Sequence, residues 1–323
     1  MIAMVLVALA AGSASALMFA SIISGAPISL VLFYLAPLPL MVAAIGWGPL
    51  SATIGGIAAA IGLGALFGLP YCTAYAITVA LPAWWLGHLA LLGRPIANAS
   101  AGNGPAPAAP AMEWYPTGRI LLWIAGFAAL TTIAALLTLG TDATAIAATM
   151  KRGLLRILGS SAVSPSADLE RVIDALVMIA PSAAAIIAMM TLTINLWLAA
   201  RITATSGRLH RPWPDLKSTT VPPMTLVALC VAIAFCFTSG LAAMFAQIAT
   251  AALLMAYALT GFAVLHTLTL AFRSRAIWLG CTYAVVVVFS WPVLAMVVLG
   301  LLDAIFGLRE RFLRTRPPPL PST

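Results

Sequence analysis

The sequence predicts an all-α fold, a polytopic transmembrane helix bundle of about nine spans (eight to ten), with one interfacial amphipathic segment. Three observations predict it. Hydrophobic residues make up 63% of the 323 and charged residues only 7%, where a soluble domain carries roughly a quarter charged. A membrane span needs about 20 apolar residues, and the chain holds many such runs. The polar stretches between them are too short to fold alone. The net charge of +8 is spread over loops and tail. It reads as a topology signal and as contact with membrane lipids, not as a nucleic-acid surface.

The first span is expected from about Ile2 to Ser24. "SASA" (Ser13 to Ala16) imitates a small-residue cleavage site, but no Lys or Arg precedes Arg94. The charged start of a signal peptide is therefore missing, and a retained span is expected. The second span, Ile28 to Gly46, contains "YLAPLPLMVAAIGWGP", in which Pro37 and Pro39 interrupt an otherwise continuous apolar run. The third is Leu50 to Phe67 and the fourth Cys72 to Leu92. A Pro/Ala/Gly-rich linker follows at Ala97 to Ala111, and the fifth span covers Ile120 to Leu139.

Thr141 to Asp174 is different in kind. In "MKRGLLRIL", Lys151, Arg152 and Arg156 alternate with leucine and isoleucine, a short basic amphipathic stretch suited to the membrane interface. "SPSADLERVIDAL" then reads as a helix start, with Ser164 or Ser166 as cap, Pro165 in the first turn, and Asp168 and Glu170 near the positive end of the dipole. That helix is expected to run into the sixth span, Leu176 to Ala200. A basic loop with Arg201, Arg208, Arg211 and Lys217 precedes spans seven to nine, at Met224–Ser239, Ala242–Leu270 and Ile277–Leu301. The tail is basic and then proline-rich, with polyproline character at its end.

In domain terms, residues 1–200 form a six-span bundle that includes the 93–117 linker and the 141–175 interfacial segment. A basic loop (201–221), three further spans (222–301) and the tail (302–323) complete the chain. Nine spans place eight of the sixteen Lys and Arg on each side of the membrane. The positive-inside count is balanced, so either one span is miscounted or one long segment is a re-entrant hairpin.

Chemistry has few candidates. Each proline inside a span removes a backbone donor and frees the carbonyl four residues back. In lipid those groups need partners, so such breaks face protein or a water-filled cavity. The Pro37/Pro39 pair is the strongest case, and the Phe33 and Leu35 carbonyls are the ones it frees. Tyr34, Pro37, Pro39, Tyr71, Tyr75 and Asn195 are the candidate ligand-binding residues. Asn195 reads equally as an interhelical hydrogen bond or as a substrate contact. Lys151, Arg152, Arg156, Arg201, Arg208 and Arg211 are the candidate membrane-interface or partner contacts.

Small residues repeat every four positions at Gly56, Ala60, Gly64 and Gly68, and at Gly12, Ala16 and Ala20, a spacing that lets helices approach closely. The four cysteines lie apart within apolar segments, so no metal site and no cofactor is expected. There is no P-loop, HExxH or GxSxG motif, and no acid sits at the centre of a span. An enzyme is not expected.

"LAPLPLMVAAIGWGPLSATIGG", "PSAAAIIAMMTLTINLWLAAR" and "GLLDAIFGLRERF" resemble the YybS-like bacterial membrane proteins, a family of unknown function. The first six spans also resemble the membrane substrate-binding subunits of energy-coupling-factor vitamin transporters. These share a proline-rich second span, a glycine–proline turn and a glycine-rich third span. The resemblance implies small-molecule binding in a six-helix unit in a bacterial inner membrane, a cytoplasmic N-terminus and a separate energising membrane partner. The alternative is a non-transporting scaffold that recruits lipid or protein through its basic segments.

Overall fold

Most of the prolines that interrupt the apolar runs begin helices. In the computed structural model, which describes residues 1–95, 112–157 and 167–314, α1 spans Ile2–Ala20 and α2 Pro27–Leu35. Next come α3 (Pro37–Trp47), α4 (Pro49–Phe67), α5 (Leu69–Tyr75) and α6 (Leu81–Leu91). Pro27, Pro37, Pro49, Pro70 and Pro82 all stand at the first or second position of their helices. There the missing N–H has no intrahelical partner to lose, and the fixed φ already suits a helix.

Gly48 and Gly68, at φ 94° and 91°, supply the backbone that lets one helix stop and a proline start the next. Between α5 and α6 the chain widens into a π turn at Ala76–Ala80. Pro82 has no N–H to return to the carbonyl four residues back, and the widened turn accommodates the gap.

A two-stranded hairpin follows, pairing β1 (Gly93–Pro95) with β2 (Met112–Trp114) in antiparallel register, Arg94 opposite Glu113. Then come α7 (Thr117–Leu137), α8 (Ala143–Ile157) and α9 (Ala167–Thr205). The remaining helices are α10 (Met224–Phe235), α11 (Gly240–Leu268), α12 (Arg275–Phe289), α13 (Val293–Phe306) and α14 (Leu308–Arg314). The expected linker (97–111), the Ser164–Ser166 cap with Pro165 and the polyproline end lie outside the described residues.

The chain is a polytopic helical membrane protein. Among the described residues seven helical segments are long and apolar enough to cross a bilayer, while α10, α12 and α13 are apolar but shorter. By contact the chain divides into two units. The first is Met1–Pro116 with Ile187–Pro214; the second is Thr117–Ile186 with Asp215–Thr323. The 39 residues of α9 therefore contribute to both.

In unit 1, α1 lies against α4 at a close approach of Gly12 to Gly55. A Cβ on either glycine would run into backbone, of Gly55 in one case and of Ala8 in the other. The expected stripe on the third span has a different partner. Gly56 meets Ala80 and Gly64 meets Cys72, so this face packs on the fourth span. Leu40 of α3 also reaches Gly55 and Gly56, which seats the broken second span on the glycine-rich helix. Gly68 lies at the turn before α5.

In unit 2, Leu136, Ile146, Ala185 and Ile248 form a buried cluster that ties α7, α8, α9 and α11 together. Ile146 is the anchor through which α8 is held. Helices α10 and α11 are antiparallel, with Cys236 Sγ 3.5 Å from Thr250 Oγ1. The 3-10 turn Leu216–Ser218 accordingly packs near the C-terminal end of α11.

The expected ninth span is two helices. The chain bends at Ser290, a non-glycine residue at φ 58°, with Pro292 capping α13. At its start Arg275 reaches the His266 carbonyl at 3.4 Å, and two turns on, α12 touches the same end of α11. The Tyr283 hydroxyl lies 2.8 Å from His266 Nε2 and its ring stacks on Phe262. The return helix, α13, meets α11 where Gly300 and Gly261 bring the backbones together. At 15 and 14 residues the pair reaches about 22 and 21 Å, short of a hydrocarbon core about 30 Å thick. This is the geometry of a re-entrant hairpin.

An ion pair closes the hairpin. Arg309 donates from Nε and Nη2 to Asp303 Oδ2 at 2.9 and 2.6 Å, and its backbone N–H donates to Oδ1 at 2.9 Å. Its Nη1 donates to the Lys217 and Thr219 carbonyls at 2.7 and 2.9 Å. Both side chains are 8% exposed. A buried pair holds only when its hydrogen bonds are satisfied, and here backbone carbonyls take the donors the carboxylate leaves over.

Candidate functional site

The break in the second span draws its donors from other helices. Pro37 and Pro39 both fall in the first turn of α3, so the interruption is confined to Ala36. The Ala36 N–H reaches the Phe33 carbonyl at 3.2 Å, which occupies one of the carbonyls expected to be free. The cross-helix donors arrive at the neighbouring Tyr34 and Ala36 carbonyls. Ser15 on α1 donates its hydroxyl to the Ala36 carbonyl at 2.6 Å. The Tyr75 hydroxyl donates in turn to Ser15 Oγ at 2.8 Å. Phe19 packs against both sides of this relay, 5.3 Å from the Phe33 ring and 5.4 Å, edge-on, from Tyr75.

Asn195 completes the arrangement. Its Nδ2 donates to the Tyr34 carbonyl and to the Thr191 carbonyl, each at 2.8 Å. Two carbonyl acceptors on one side fix which way the amide faces. Its Oδ1 is then left buried with no hydrogen-bond partner, on a residue 1% exposed. An orphaned amide oxygen in a low-dielectric interior costs about 1–3 kcal/mol unless something donates to it.

Of the expected ligand-binding residues, the structure brings together Tyr34 (through its carbonyl), Pro37, Tyr75 and Asn195. Pro39 is half-buried beside them in α3. Tyr71 lies apart, its ring 5.2 Å from Phe67. Ser15 was not expected here. Its signal was the i, i+3, i+7 face it shares with Gly12 and Phe19, obscured by its resemblance to a cleavage site.

The second group of candidates divides. Lys151 forms an ion pair with Asp174 at 2.8 Å, which raises its pKa, and Arg152 reaches Thr149 Oγ1 at 3.0 Å. Both bind within their own unit, while Arg156 stays exposed in the last turn of α8.

Arg201, Arg208 and Arg211 sit over tryptophans of unit 1. Arg201 lies 5.4 Å from the Trp213 ring, Arg208 4.4 Å from Trp47, and Arg211 6.0 Å from Trp114. Arg211 also donates to the Ala90 carbonyl at 3.4 Å, and burial lowers its pKa. These contacts gather the ends of α3, α6 and α9 with the β-hairpin.

Charge in unit 1 is strongly one-sided. Its Lys and Arg residues are Arg94, Arg201, Arg208 and Arg211, all at this end. The opposite turns, at residues 21–26 and 68, carry none. Ser21 bonds the Ser29 carbonyl and Ser15 the Ala36 carbonyl, so α1 runs antiparallel to the second span and begins at the basic end.

In unit 2, Arg309 binds the Lys217–Thr219 segment, and Thr219 meets Thr117 at 3.1 Å. The tail therefore lies at the end where α7 begins, away from α8. The nine-span count puts the tail on the same side as the 141–174 segment, and this contact puts it at the other end of unit 2.

Among the described residues no three His, Cys, Asp or Glu come together as a metal site. No family model, curated protein or solved structure matches the chain.

Proposed function

We propose that this membrane protein binds a small molecule carrying a hydrogen-bond donor at the break of the second span. Asn195 Oδ1 would be the acceptor, and the site would serve a transport-related component that has no ATPase of its own. The observation that supports this reading is the unpartnered, buried Asn195 oxygen, beside a helix break whose Phe33, Tyr34 and Ala36 carbonyls are met by protein donors. Polar groups inside a membrane bundle are costly enough to make function the first explanation of one left open. The one-sided charge of unit 1 supports a cytoplasmic basic end and a cytoplasmic N-terminus. The resemblance to bacterial families supports the inner membrane and a separate energising partner.

Native mass spectrometry of the gently extracted full chain tests this reading. The expected result is one reproducible small-molecule adduct, lost in Asn195→Ala while the protein still inserts. A bare protein mass, or an adduct unaffected by Asn195→Ala, overturns it. A water in the same place leaves no adduct.

A further inference from the structure

Three guanidinium groups in unit 1 are held on indole faces, none of them neutralised by a carboxylate among the described residues. Arg201, Arg208 and Arg211 stack on Trp213, Trp47 and Trp114, and none of them enters an ion pair among the described residues. Stacking uses the face of a guanidinium and leaves its N–H fork for a planar or tetrahedral anion. Among the described residues one of these donor edges meets a protein acceptor, in the weak 3.4 Å contact from Arg211 to the Ala90 carbonyl. The Arg94 cation is different, being paired with Glu113 at 2.6 Å. The three cations without an ion pair are thus a selected set and not a general excess of charge.

Their position names the anion. Trp47 ends α3, Arg201 lies in the last turns of α9, and Trp114 belongs to the hairpin that follows α6. These are the ends of apolar spans, where tryptophan rings lie at headgroup depth. Trp213 is 41% exposed, so its Arg201 stands at the rim. An anion presented at that depth, in a plane, with phosphate geometry, is a phospholipid headgroup.

We propose that the basic end of unit 1 is a docking site for anionic phospholipid, with Arg201, Arg208 and Arg211 as its phosphate-binding groups. Trp213, Trp47 and Trp114 are the shelves that hold those groups in place. Bidentate N–H donation to a phosphate is the interaction arginine makes better than lysine, and the indole shelf restricts the guanidinium before the lipid arrives.

The test uses the full chain in nanodiscs of equimolar phosphatidylglycerol and phosphatidylcholine, followed by graded delipidation and native mass spectrometry of the lipids retained. The expected result is at least a fivefold preference for phosphatidylglycerol in the wild type, falling to parity in the triple variant R201Q/R208Q/R211Q. Equal retention of the two lipids by the wild type overturns the proposal, as does a preference that survives the triple variant.

Two further arms use folded protein whatever the triple variant does. Raising NaCl to 0.5 M on the wild type should abolish the preference, since exposed charges are screened; persistence counts against the proposal. Inorganic phosphate at 50 mM should leave the preference intact. Its loss there would mean a free-phosphate site and would overturn the lipid assignment.

Discussion

Asn195 donates its side-chain amide to the carbonyl of Tyr34 at 2.8 Å, across 161 residues of sequence. The bond joins α9 to the last turn of α2, two residues before the break at Ala36. Replacing Asn195 with Ala removes it and leaves the Tyr34 carbonyl without that donor. The same change removes the orphaned Oδ1, so the two effects oppose and the expected net loss is at most about 1 kcal/mol, measured by denaturant titration in detergent. A loss above about 2 kcal/mol would mean that Oδ1 has a donor of its own.

Glycine substitutions should separate sharply by position. Gly55→Ala places a methyl group against the Ala8 backbone, which cannot swing aside, and should cost about 1–3 kcal/mol as overpacking does. Gly62→Ala meets nothing within 4 Å and should be neutral or gain up to about 1 kcal/mol from helix propensity. Thermal melts of the two variants in the same detergent compare them directly.

The buried Asp303–Arg309 pair should behave asymmetrically. Arg309→Met alone leaves a buried carboxylate and should cost about 3–5 kcal/mol, whereas the double change D303L/R309M should recover most of that loss. Limited proteolysis between Lys217 and Thr219 gives a second reading, because both variants lack the Arg309 Nη1 donor to those two carbonyls and should expose the segment it holds.

Helix α8 should loosen at both extremes of pH. Asp142 caps it, accepting from Thr144 Oγ1 at 2.6 Å and the Ala145 N–H at 2.9 Å. These bonds hold its pKa below the usual carboxylate value. The cap is fully present above the ordinary aspartate pKa of about 3.9 and is lost as pH falls through the lower, folded value. Lys151 runs the other way. Its bond to Asp174 raises its pKa, so that contribution is full below the usual lysine range and disappears as pH rises through the raised value. Protection of α8 amides, the exchange rate divided into the intrinsic rate at each pH, should be greatest between these limits. Asp142→Asn, which keeps a capping oxygen, should remove the acid-side loss alone.

What could be seen in advance follows the range of each interaction. The apolar runs are local properties and place the long helices. The prolines are local too, but their meaning depends on phase: Pro37 and Pro39 interrupt the run as expected, yet both lie within one first turn and leave a single-residue gap. Asn195 stood out because an amide in an apolar run needs a partner somewhere, although nothing local identified Tyr34. Trp47 and Arg208 are too far apart in sequence for pattern to pair them. Asp303 and Arg309 were within reach, six residues apart around Gly307 at φ 63°, a helix stop that turns the arginine back on the acid. Pro292 marks an interruption of the ninth span, but nothing local shows that the chain bends at Ser290 and leaves two short helices.

Since α12 and α13, at 15 and 14 residues, are too short to cross a hydrocarbon core about 30 Å thick, a hairpin of the two would occupy one leaflet and leave the other to lipid. An inclusion confined to one leaflet is accommodated with less strain by a bilayer already bent in the matching sense. The hairpin's length thus becomes a sorting property. The chain should partition between small and large vesicles of identical lipid according to which leaflet receives the wedge, and truncating α12 and α13 together should abolish that preference.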